Sequence, residues 1–488
     1  FYTIDPVKNK TGRLADRHYF VRPGSDLALA LGLMHVIIAE NLHDAAYVAH
    51  YTEGFGALRD RVRDYPPERV AAITGLEADE IAGLAREYAT TRPAVIRLNY
   101  GVSRTDRGGT AVQAIALLPA LVGSWREAGG GLQMTTSGAF TLDRTALEMP
   151  ELQQRSPLGR EARLVNMSTL GTALNDLDDP PVKALIVYNS NPAAVAPNQN
   201  RVLEGLRRED LFTIVLEQMP TDTADHADLL LPVTTFLEHT DLYFAYGHYY
   251  LQLARPVVAP AGECKPNVEI FRLLARQMGF EEPCFRESDD DMMRAALASG
   301  HEFLRGIDLE RLEQERSIRL NVSRPGEPFL PFARGGFGTP TGKCDFRAAD
   351  LSYTPPAESR AGDPELRRRY PLELIPAKND NSMNSTFGHR DETDRETSRV
   401  WMNSADAGDR AIADGDLVRV FNDRGSCLLE AAVNGAVAPG VVAAPSTRWG
   451  KRSSDRRNVN VLTSERLTDI GAGATFFSCL VEVEKCGV

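Results

Sequence analysis

The fold is decided in the middle of the chain, by the stretch VKALIVYNSNPAAVAPN (residues 182–198). It opens with a short, mostly apolar run, which predicts a buried strand. Asn189, Asn191 and Pro192 then stand at the carboxyl end of that strand. Ligands of open α/β sheets bind outside the carboxyl ends of the strands, so these residues are candidate ligand contacts. An Asx turn is the alternative interpretation of the two asparagines.

The same alternation of strand and helix continues towards the C-terminus. Two strands joined by a turn are predicted for LFTIVLEQMPTDTADHADLLLP (211–232), and a helix for NVEIFRLLARQMGF (267–280). Glu217 and Gln218 stand at the carboxyl end of the first of these strands. Alternating strands and helices indicate a parallel sheet, and two neighbouring polar strand ends predict a shared crevice.

A second unit of the same kind precedes this one. Strands are predicted for FYTID (1–5) and PAVIRLNYG (93–101), and helices for DLALALGLMHVIIAENL (26–42) and TAVQAIALLPALVGSW (110–125). The class is therefore α/β, with two Rossmann-like parallel-sheet domains. We predict that the first domain covers residues 1–145 and the second residues 146–355.

The pattern changes after a proline-broken linker. Short strands separated by Gly, Asp and Pro turns are predicted at LELIPA (372–377), GDLVRVFND (415–423), GSCLLEAAVN (425–434) and GVVAAPS (440–446). This pattern is typical of a small β-barrel, which we place at residues 366–488.

Two loops of the first unit carry candidate binding residues. Asp5 ends the first predicted strand of the chain, which is similar to the second strand of a Rossmann unit, the strand that ends in an acid against a ribose or a base edge; a plain edge strand is the alternative. The turn RPGSD (22–26) enters a helix whose free N–H groups suit an anion. The alternative there is an ordinary helix cap made by Ser25 or Asp26.

Composition excludes several classes of protein. The net charge of −12 argues against a nucleic-acid surface. No apolar run approaches the roughly 18 residues that a membrane span requires. No signal peptide is visible, and we expect a cytoplasmic protein. The six cysteines are scattered without metal-ligand spacing, so we predict reduced thiols and no metal site in this chain.

No motif of a catalytic centre stands out. The loop NSTFGHRDETDRE (384–396) contains one titratable imidazole, His389, which is more typical of a surface loop than of a catalytic centre. No Ser-His-Asp spacing, acid/base pair or activated nucleophile is found. The residues by themselves therefore indicate a binding scaffold, with polar loops facing a ligand crevice.

The order of these segments resembles the molybdopterin oxidoreductase family, the bis(molybdopterin guanine dinucleotide) enzymes related to dimethyl sulfoxide reductase, formate dehydrogenase and periplasmic nitrate reductase. The resemblance runs the length of the chain, through IDPVKNKTGRLAD (4–16), VRPGSDLALALGLMHVI (21–37), YNSNPAAVAPN (188–198), TDTADHADLLLPVTTFLE (221–238), YPLELIPAKNDNSMNSTFG (370–388) and NVNVLTSERLTDIGAGATFF (458–477). It implies that the C-terminal barrel is a double-psi β-barrel that covers the cofactor.

The resemblance also implies a set of cofactor-binding residues. One guanine nucleotide would be held by Asp5, Lys8, Asn9, Gly24, Ser25 and Asp26, and the other by Asn191, Glu217 and Gln218. The pterin would be held by the barrel residues Ala377, Lys378, Asn384, Ser385 and Thr386, with Asn460 as a second contact. Tyr100 and Arg104 would lie on a loop that reaches towards the metal and the substrate, and we predict that Arg104 or His389 orients the substrate.

The implied activity is a two-electron oxidation or reduction of a small molecule at Mo or W. Family members carry a further N-terminal portion of roughly two hundred residues, about one more domain. In many members a [4Fe–4S] cluster and the metal ligand belong to that portion. We therefore expect the present chain to be a C-terminal fragment that is inactive alone, whose parent uses an electron-transfer subunit.

Two other functions stay open on the sequence. A non-catalytic nucleotide- or pterin-binding module would have the same polar loops and no metal ligand. An ordinary nucleotide enzyme, with a Rossmann fold and an unrelated barrel, predicts an intact glycine turn after a first strand. We find no convincing turn of that kind in the sequence.

Overall fold

The computed structural model describes residues 1–347 and 350–487. The strands, numbered in chain order, are β1 (Tyr2–Ile4), β2 (Arg17–Tyr19), β3 (Thr52–Glu53), β4 (Val95–Arg97), β5 (Gly131–Gln133), β6 (Ala184–Tyr188), β7 (Phe212–Glu217), β8 (Leu229–Pro232), β9 (Asp241–Tyr243), β10 (Tyr250–Ala254), β11 (Ser317–Arg319), β12 (Cys344–Asp345), β13 (Leu372–Ile375), β14 (Arg399–Met402), β15 (Leu417–Asn422), β16 (Gly425–Val433), β17 (Val441–Ala443) and β18 (Leu480–Lys485).

The α-helices are α1 (Lys10–Leu14), α2 (Asp26–Ala39), α3 (Ala45–Tyr51), α4 (Phe55–Val62), α5 (Pro67–Thr74), α6 (Ala78–Thr90), α7 (Gly108–Leu121), α8 (Arg144–Glu148), α9 (Pro150–Arg155), α10 (Leu170–Asp176), α11 (Pro192–Val195), α12 (Gln199–Leu206), α13 (Asn267–Gln277), α14 (Asp289–Leu297), α15 (Leu309–Glu315), α16 (Pro364–Arg369), α17 (Asp391–Thr397) and α18 (Ser404–Gly408).

Helix α2 forms the centre of the first unit. It is apolar on every side and almost wholly buried, as expected of a helix inside a core. Helices α5, α6 and α7 pack around it. Gly32 allows the close approach of α5, because a Cβ there would lie 2.8 Å from Val70 Cγ2. The parallel pairs β1–β2 and β4–β5 complete the unit.

The chain returns to this first core late in the sequence. Strand β12 pairs in parallel with β3, and Phe346 and Leu351 join the same apolar core as α2. A division of the chain at residue 355 assigns this returning segment to the second unit. The three predicted domain ranges therefore stay a prediction, although Cys344, Phe346 and Leu351 pack with the first unit.

The second unit contains the parallel sheet that the opening stretch predicts. Its strand order is β6-β7-β8, and Ile186 lies in register with Ile214 and Leu229. Apolar residues of α10 and α12 pack with Leu185, and Phe271 of α13 packs with Ile214. The carboxyl ends of the strands carry the polar residues, as the sequence analysis predicts.

A smaller antiparallel sheet follows, in the order β11-β10-β9. It has a separate apolar core, in which Leu251 and Leu320 pack with residues of α14 and α15. Phe140, from the segment before α8, also belongs to this core. Residues 241–254 and 289–322 therefore share a core of their own, whereas α13 between them packs on the parallel sheet.

The C-terminal region is a closed barrel with the strand order β13-β17-β14-β16-β15-β18. The pairs β13–β17 and β14–β16 are parallel, and β18 closes the barrel by pairing with both β13 and β15. One buried acid, Glu373, accepts a hydrogen bond from Arg360 Nε at 2.6 Å. The α/β units and this barrel confirm the predicted fold class. Within the described residues, no helix is long and apolar enough to cross a membrane.

Candidate functional site

Two carboxylates meet beside the first strand. Burial raises the pKa of Asp5 and of Asp26 to about 6, and the charge of Asp26 adds to the effect on Asp5. The backbone N–H of Val7 donates to Asp5 Oδ1 (2.8 Å), and Asn9 Nδ2 donates to Asp5 Oδ2 (3.3 Å). We call Asp5, Lys8, Asn9 and Asp26 the amino-terminal polar cluster. It can accept hydrogen bonds from a donor-rich ligand once the carboxyls are ionised.

The amino-terminal polar cluster is held against the barrel. The backbone N–H of Lys8 donates to the carbonyl of Ala436 at 2.7 Å. Lys10 Nζ donates to Asn381 Oδ1 at 3.0 Å, in the loop that follows β13. The predicted residues Asp5 and Asn9 therefore lie close to the contact between the first unit and the barrel.

The turn before α2 is closed by the chain itself. Gly24 has a φ of +73°, and a Cβ there would lie 2.5 Å from Pro356 Cγ. The hydroxyl of Ser25 donates to the carbonyl of Arg22 at 2.6 Å and does not cap α2. Both predicted residues thus have partners within the protein. Their contact with a cofactor stays a prediction.

A second group of polar residues joins the second unit to the barrel. Buried Asn191 accepts hydrogen bonds at Oδ1 from the N–H (3.1 Å) and the hydroxyl (2.7 Å) of Thr223. Asp222 Oδ1 accepts from the backbone N–H of Lys451 at 2.7 Å. Burial raises the pKa of Asp222, against the opposing effect of that N–H. Among the described residues, Asn191 Nδ2 and Asp222 Oδ2 form no hydrogen bond within 3.5 Å, although the Asn191 side chain lies close enough to Asp222 to lower the pKa of that carboxyl.

The barrel residues at this contact also include buried polar atoms without a hydrogen-bond partner. Asn460 is fully buried, and its Nδ2 donates to the carbonyls of Ala194 and Ser446, each at 2.7 Å. Asn460 Oδ1 and Thr447 Oγ1 are buried without a partner in the part of the chain that the structure describes. Buried polar atoms are nearly always paired, so a group of four unpaired ones indicates a ligand or ordered water. We call Asn191, Asp222, Thr447 and Asn460 the central polar cluster.

Two cations, Arg104 and Lys378, lie close to each other. The Arg104 guanidinium lies 5.7 Å from the Phe476 ring, and burial lowers its pKa. Lost hydration and the charge of Arg104 lower the pKa of Lys378, whose Nζ donates to Asn384 Oδ1 at 2.5 Å. No carboxylate pairs with Arg104 among the described residues. Arg104 and Lys378, the cationic pair, therefore suit an anion or a polarised oxygen.

A segment of the barrel fixes the loop that carries Arg104. The backbone N–H of Phe477 donates to the carbonyl of Arg104 at 2.8 Å. Asp469 accepts hydrogen bonds from the N–H of Gly109 (2.8 Å) and from the N–H and hydroxyl of Thr110 (3.2 and 2.5 Å). The N–H groups at the start of α7 have no partner within the helix, and a carboxylate there accepts their hydrogen bonds and interacts favourably with the helix dipole. Gly109 is required for the approach, since a Cβ there would lie 2.7 Å from Ile470 Cβ.

The remaining barrel residues of the prediction lie in the loop after β13. The carbonyl of Ala377 accepts from the N–H of Ser446, which joins this loop to the central polar cluster. Trp449 Nε1 donates to the carbonyl of Ser385 at 2.8 Å, and the Thr386 hydroxyl donates to the carbonyl of Met383 at 2.5 Å. The backbone of the loop is thereby fixed against the barrel.

Four further predicted residues make contacts of their own. Glu217 ends β7, where burial raises its pKa, and exposed Gln218 donates to the carbonyl of Thr234 at 3.0 Å. The His389 ring lies 6.0 Å from the Trp449 ring. Tyr100 has its ring 6.5 Å from that of Tyr246. The roles given to these residues stay predictions.

Sequence reasoning missed several residues of the site. Asp222, Asp469 and Lys451 bridge the α/β units and the barrel, but none stands in a recognisable spacing. Trp449 offers the one available signal, because it is one of only three tryptophans in the chain and is flanked by Arg448 and Lys451. A rare bulky residue within a polar loop is typical of an anchored loop.

Two family patterns match the chain. The molybdopterin oxidoreductase pattern covers residues 1–277, and the molydopterin dinucleotide binding domain covers residues 372–480. The chain belongs to the molybdopterin oxidoreductase family. The resemblance drawn from the sequence is thus confirmed, as are the assignment to a family of enzymes and the predicted cofactor, a molybdopterin dinucleotide.

Individual relatives agree with this assignment. A probable oxidoreductase of Bacillus subtilis (strain 168), YoaE, is 40% identical over 494 residues, covering 99% of this chain and 70% of the relative. The dimethyl sulfoxide reductase DmsA of Escherichia coli (strain K12) is 29% identical, covering 99% of this chain and 67% of the relative. The solved structure of acetylene hydratase from Pelobacter acetylenicus shares the fold, with a TM-score of 0.79 and 24% identity, covering 99% of this chain and 74% of that one.

Proposed function

We propose that the two polar clusters hold the two nucleotide ends of bis(molybdopterin guanine dinucleotide). The unpaired buried atoms of the central polar cluster, Asn191 Nδ2, Asp222 Oδ2, Thr447 Oγ1 and Asn460 Oδ1, carry the proposal. A guanine nucleotide offers both donors and acceptors to such a set. The clustering of these atoms where the second unit meets the barrel supports one common ligand.

The amino-terminal polar cluster suits the other nucleotide. Guanine presents N–H donors along one edge, and the ionised carboxylates of Asp5 and Asp26 accept from such donors. A pKa of about 6 leaves both carboxyls mostly ionised at neutral pH. Each carboxylate then gains hydrogen bonds that offset its loss of water.

We further propose that the enzyme reduces a small sulfoxide by two electrons. When bound, the cofactor supplies the two-electron redox and oxygen-atom chemistry. The balance is R₂SO + 2 e⁻ + 2 H⁺ → R₂S + H₂O, with an external electron donor as the reductant. DmsA, named as a dimethyl sulfoxide reductase, supports this choice of substrate class.

The cationic pair is the part of this chain that would act on the substrate. Arg104 and Lys378 donate hydrogen bonds to the sulfoxide oxygen, whose negative charge grows as the S–O bond breaks. Donors that are fixed before reaction and aimed at developing charge lower the barrier. The backbone contact of Arg104 with Phe477 provides that fixation.

The reaction is tested with the cofactor-loaded enzyme and dithionite-reduced methyl viologen. We expect two viologen cations oxidised for each dimethyl sulfoxide reduced. Arg104→Gln should lower kcat/KM by about 100-fold, the usual cost of one oxyanion donor. Arg63→Gln, at an exposed arginine beyond α4, is the matched control and should leave kcat/KM unchanged. Equal activities of the two variants would remove Arg104 from the reaction.

Cofactor binding is tested by composition rather than by turnover. Asp26→Asn removes a charged acceptor while keeping the size of the side chain, so the purified protein should contain less molybdenum and release less GMP on acid hydrolysis. Asp60→Asn, at an exposed acid of α4, is the control. Full cofactor content in Asp26→Asn would contradict the assignment of this cluster.

A further inference from the structure

We propose that Tyr100 and the segment YFAYGHYY (243–250) form a subsite for an aromatic ring, so that aryl sulfoxides are preferred substrates. This inference rests on the proposed sulfoxide reduction and names its substrate class. Five of the eight residues of the segment are Tyr or Phe, the densest aromatic run in the chain. The segment connects β9 to β10.

Two rings of the proposed subsite, Tyr246 and Tyr100, face solvent, whereas Tyr249 packs on the neighbouring core and Phe244 packs against Phe140. Tyr246 is 63% exposed and Tyr100 is 41% exposed. Their ring centroids lie 6.5 Å apart with an interplanar angle of 66°, an edge-to-face arrangement. The two rings therefore add little to the core. An exposed aromatic pair can offer a face and an edge to a third ring.

The protein holds the aromatic segment in one conformation. The hydroxyl of Thr136 donates to the carbonyls of Ala245 (2.8 Å) and His248 (3.0 Å), and its N–H donates to the carbonyl of Tyr246 (3.1 Å). Thr136 is itself only 6% exposed. Because the loop is already ordered, a ring that binds to it meets a smaller entropic cost.

Tyr100, whose ring contacts Tyr246 of the aromatic segment, lies four residues before Arg104 of the cationic pair. A single 3₁₀ turn leads from Tyr100 to Arg104, whose N–H donates to the carbonyl of Gly101 at 3.0 Å. A Cβ at Gly101 would lie 3.2 Å from the Phe477 ring, and the neighbouring Phe476 ring lies beneath the Arg104 guanidinium. An apolar surface thus borders a pair of hydrogen-bond donors.

These surroundings fit a flat ring attached to a sulfur atom that carries a polarised oxygen. In methyl phenyl sulfoxide the oxygen would accept from Arg104 and Lys378 while the phenyl ring rests against Tyr246 and Tyr100. Dimethyl sulfoxide offers the same oxygen without the ring. The two substrates therefore share the chemistry and differ only at the proposed subsite.

The test compares kcat/KM of the cofactor-loaded enzyme for the two sulfoxides. We expect the wild type to prefer methyl phenyl sulfoxide, and Tyr246→Ala to reduce that preference by about 2- to 12-fold, the range of one aromatic contact. Tyr246→Phe should retain it. Phe280→Ala, at another exposed ring (43%, against 63% for Tyr246) beyond α13, is the control. Methyl phenyl sulfone, followed by saturation-transfer NMR, gives an independent measure of ring binding.

The outcomes separate this inference from the proposed function. If neither sulfoxide is reduced, the proposed function is wrong, and the sulfone experiment still tests the ring subsite. If both are reduced and Tyr246→Ala leaves the ratio of the two kcat/KM values unchanged, the subsite is refuted while the reaction stands. Equal binding of the sulfone to wild type and Tyr246→Ala would refute it as well.

Discussion

Asp469→Ala should release the loop that carries Arg104 from the barrel. The substitution removes the acceptor for three donors, the N–H of Gly109 and the N–H and hydroxyl of Thr110. A hydrogen bond to a charged group contributes about 1.5–3 kcal/mol, and loss of a helix N-terminal acceptor costs about 0.5–2 kcal/mol. Because the three bonds share one carboxylate, we expect a total near 3 kcal/mol rather than their sum.

Hydrogen exchange followed by mass spectrometry measures this loss locally. A free energy near 3 kcal/mol corresponds to about a 100-fold faster opening, since each 1.4 kcal/mol is a factor of ten. The acceleration should appear in peptides that cover residues 104–112 and 466–478. Asp469→Asn retains one acceptor oxygen and should give about a tenfold change.

Asp455→Ala is the matched control, because Asp455 also accepts three hydrogen bonds, from Leu428 N–H, Ser453 Oγ and Arg457 N–H. All of these lie within the barrel, so exchange in residues 104–112 should stay as in the wild type. Less than about a threefold acceleration there in Asp469→Ala would mean that other contacts hold the loop, and the reasoning would be wrong.

Three further outcomes follow from buried charges. In the cofactor-free protein, Asp5 and Asp26 have pKa values of about 6 in the folded state, above the ordinary value of 3.8. Protonation of these two carboxyls therefore stabilises the folded state, fully below pH 3.8, and this stabilisation is lost as the pH rises through about 6. The urea midpoint should fall between these two pH values. Lys451→Met should cost about 1.5–3 kcal/mol at the contact of the second unit with the barrel, measured by the rate of limited proteolysis. Arg360→Met should destabilise the barrel by about 3 kcal/mol in denaturant titrations, because the buried carboxylate of Glu373 loses its cationic partner and keeps only the backbone N–H of that residue.

Helices and strands were predicted correctly where the sequence of a single segment is enough to determine its secondary structure. The apolar run before Asn189 is a strand, and the uniformly apolar segment after Asp26 is a buried helix. The short strands separated by turn residues do close into a barrel. In these cases the period of the side chains and the turn residues carry the information.

Long-range contacts could not be predicted in this way. The two-residue strands β3 and β12 pair across the whole of the second unit, and nothing in so short a segment specifies its partner. Asp469 reaches the start of α7 from far along the chain, so its role depends on how the barrel packs. Ser25 fits the preferred residues of a helix cap, yet its hydroxyl bonds to the Arg22 carbonyl.

The position of β18 in the barrel has a consequence for biosynthesis. This strand pairs with both β13 and β15, so the ring of strands stays open until residue 485 has left the ribosome. The roughly 380 residues from Arg104 to Lys485 take about 20 to 75 s to translate at ordinary rates. During that interval the barrel does not yet cover the nascent α/β units. A large prosthetic group can therefore reach their binding residues.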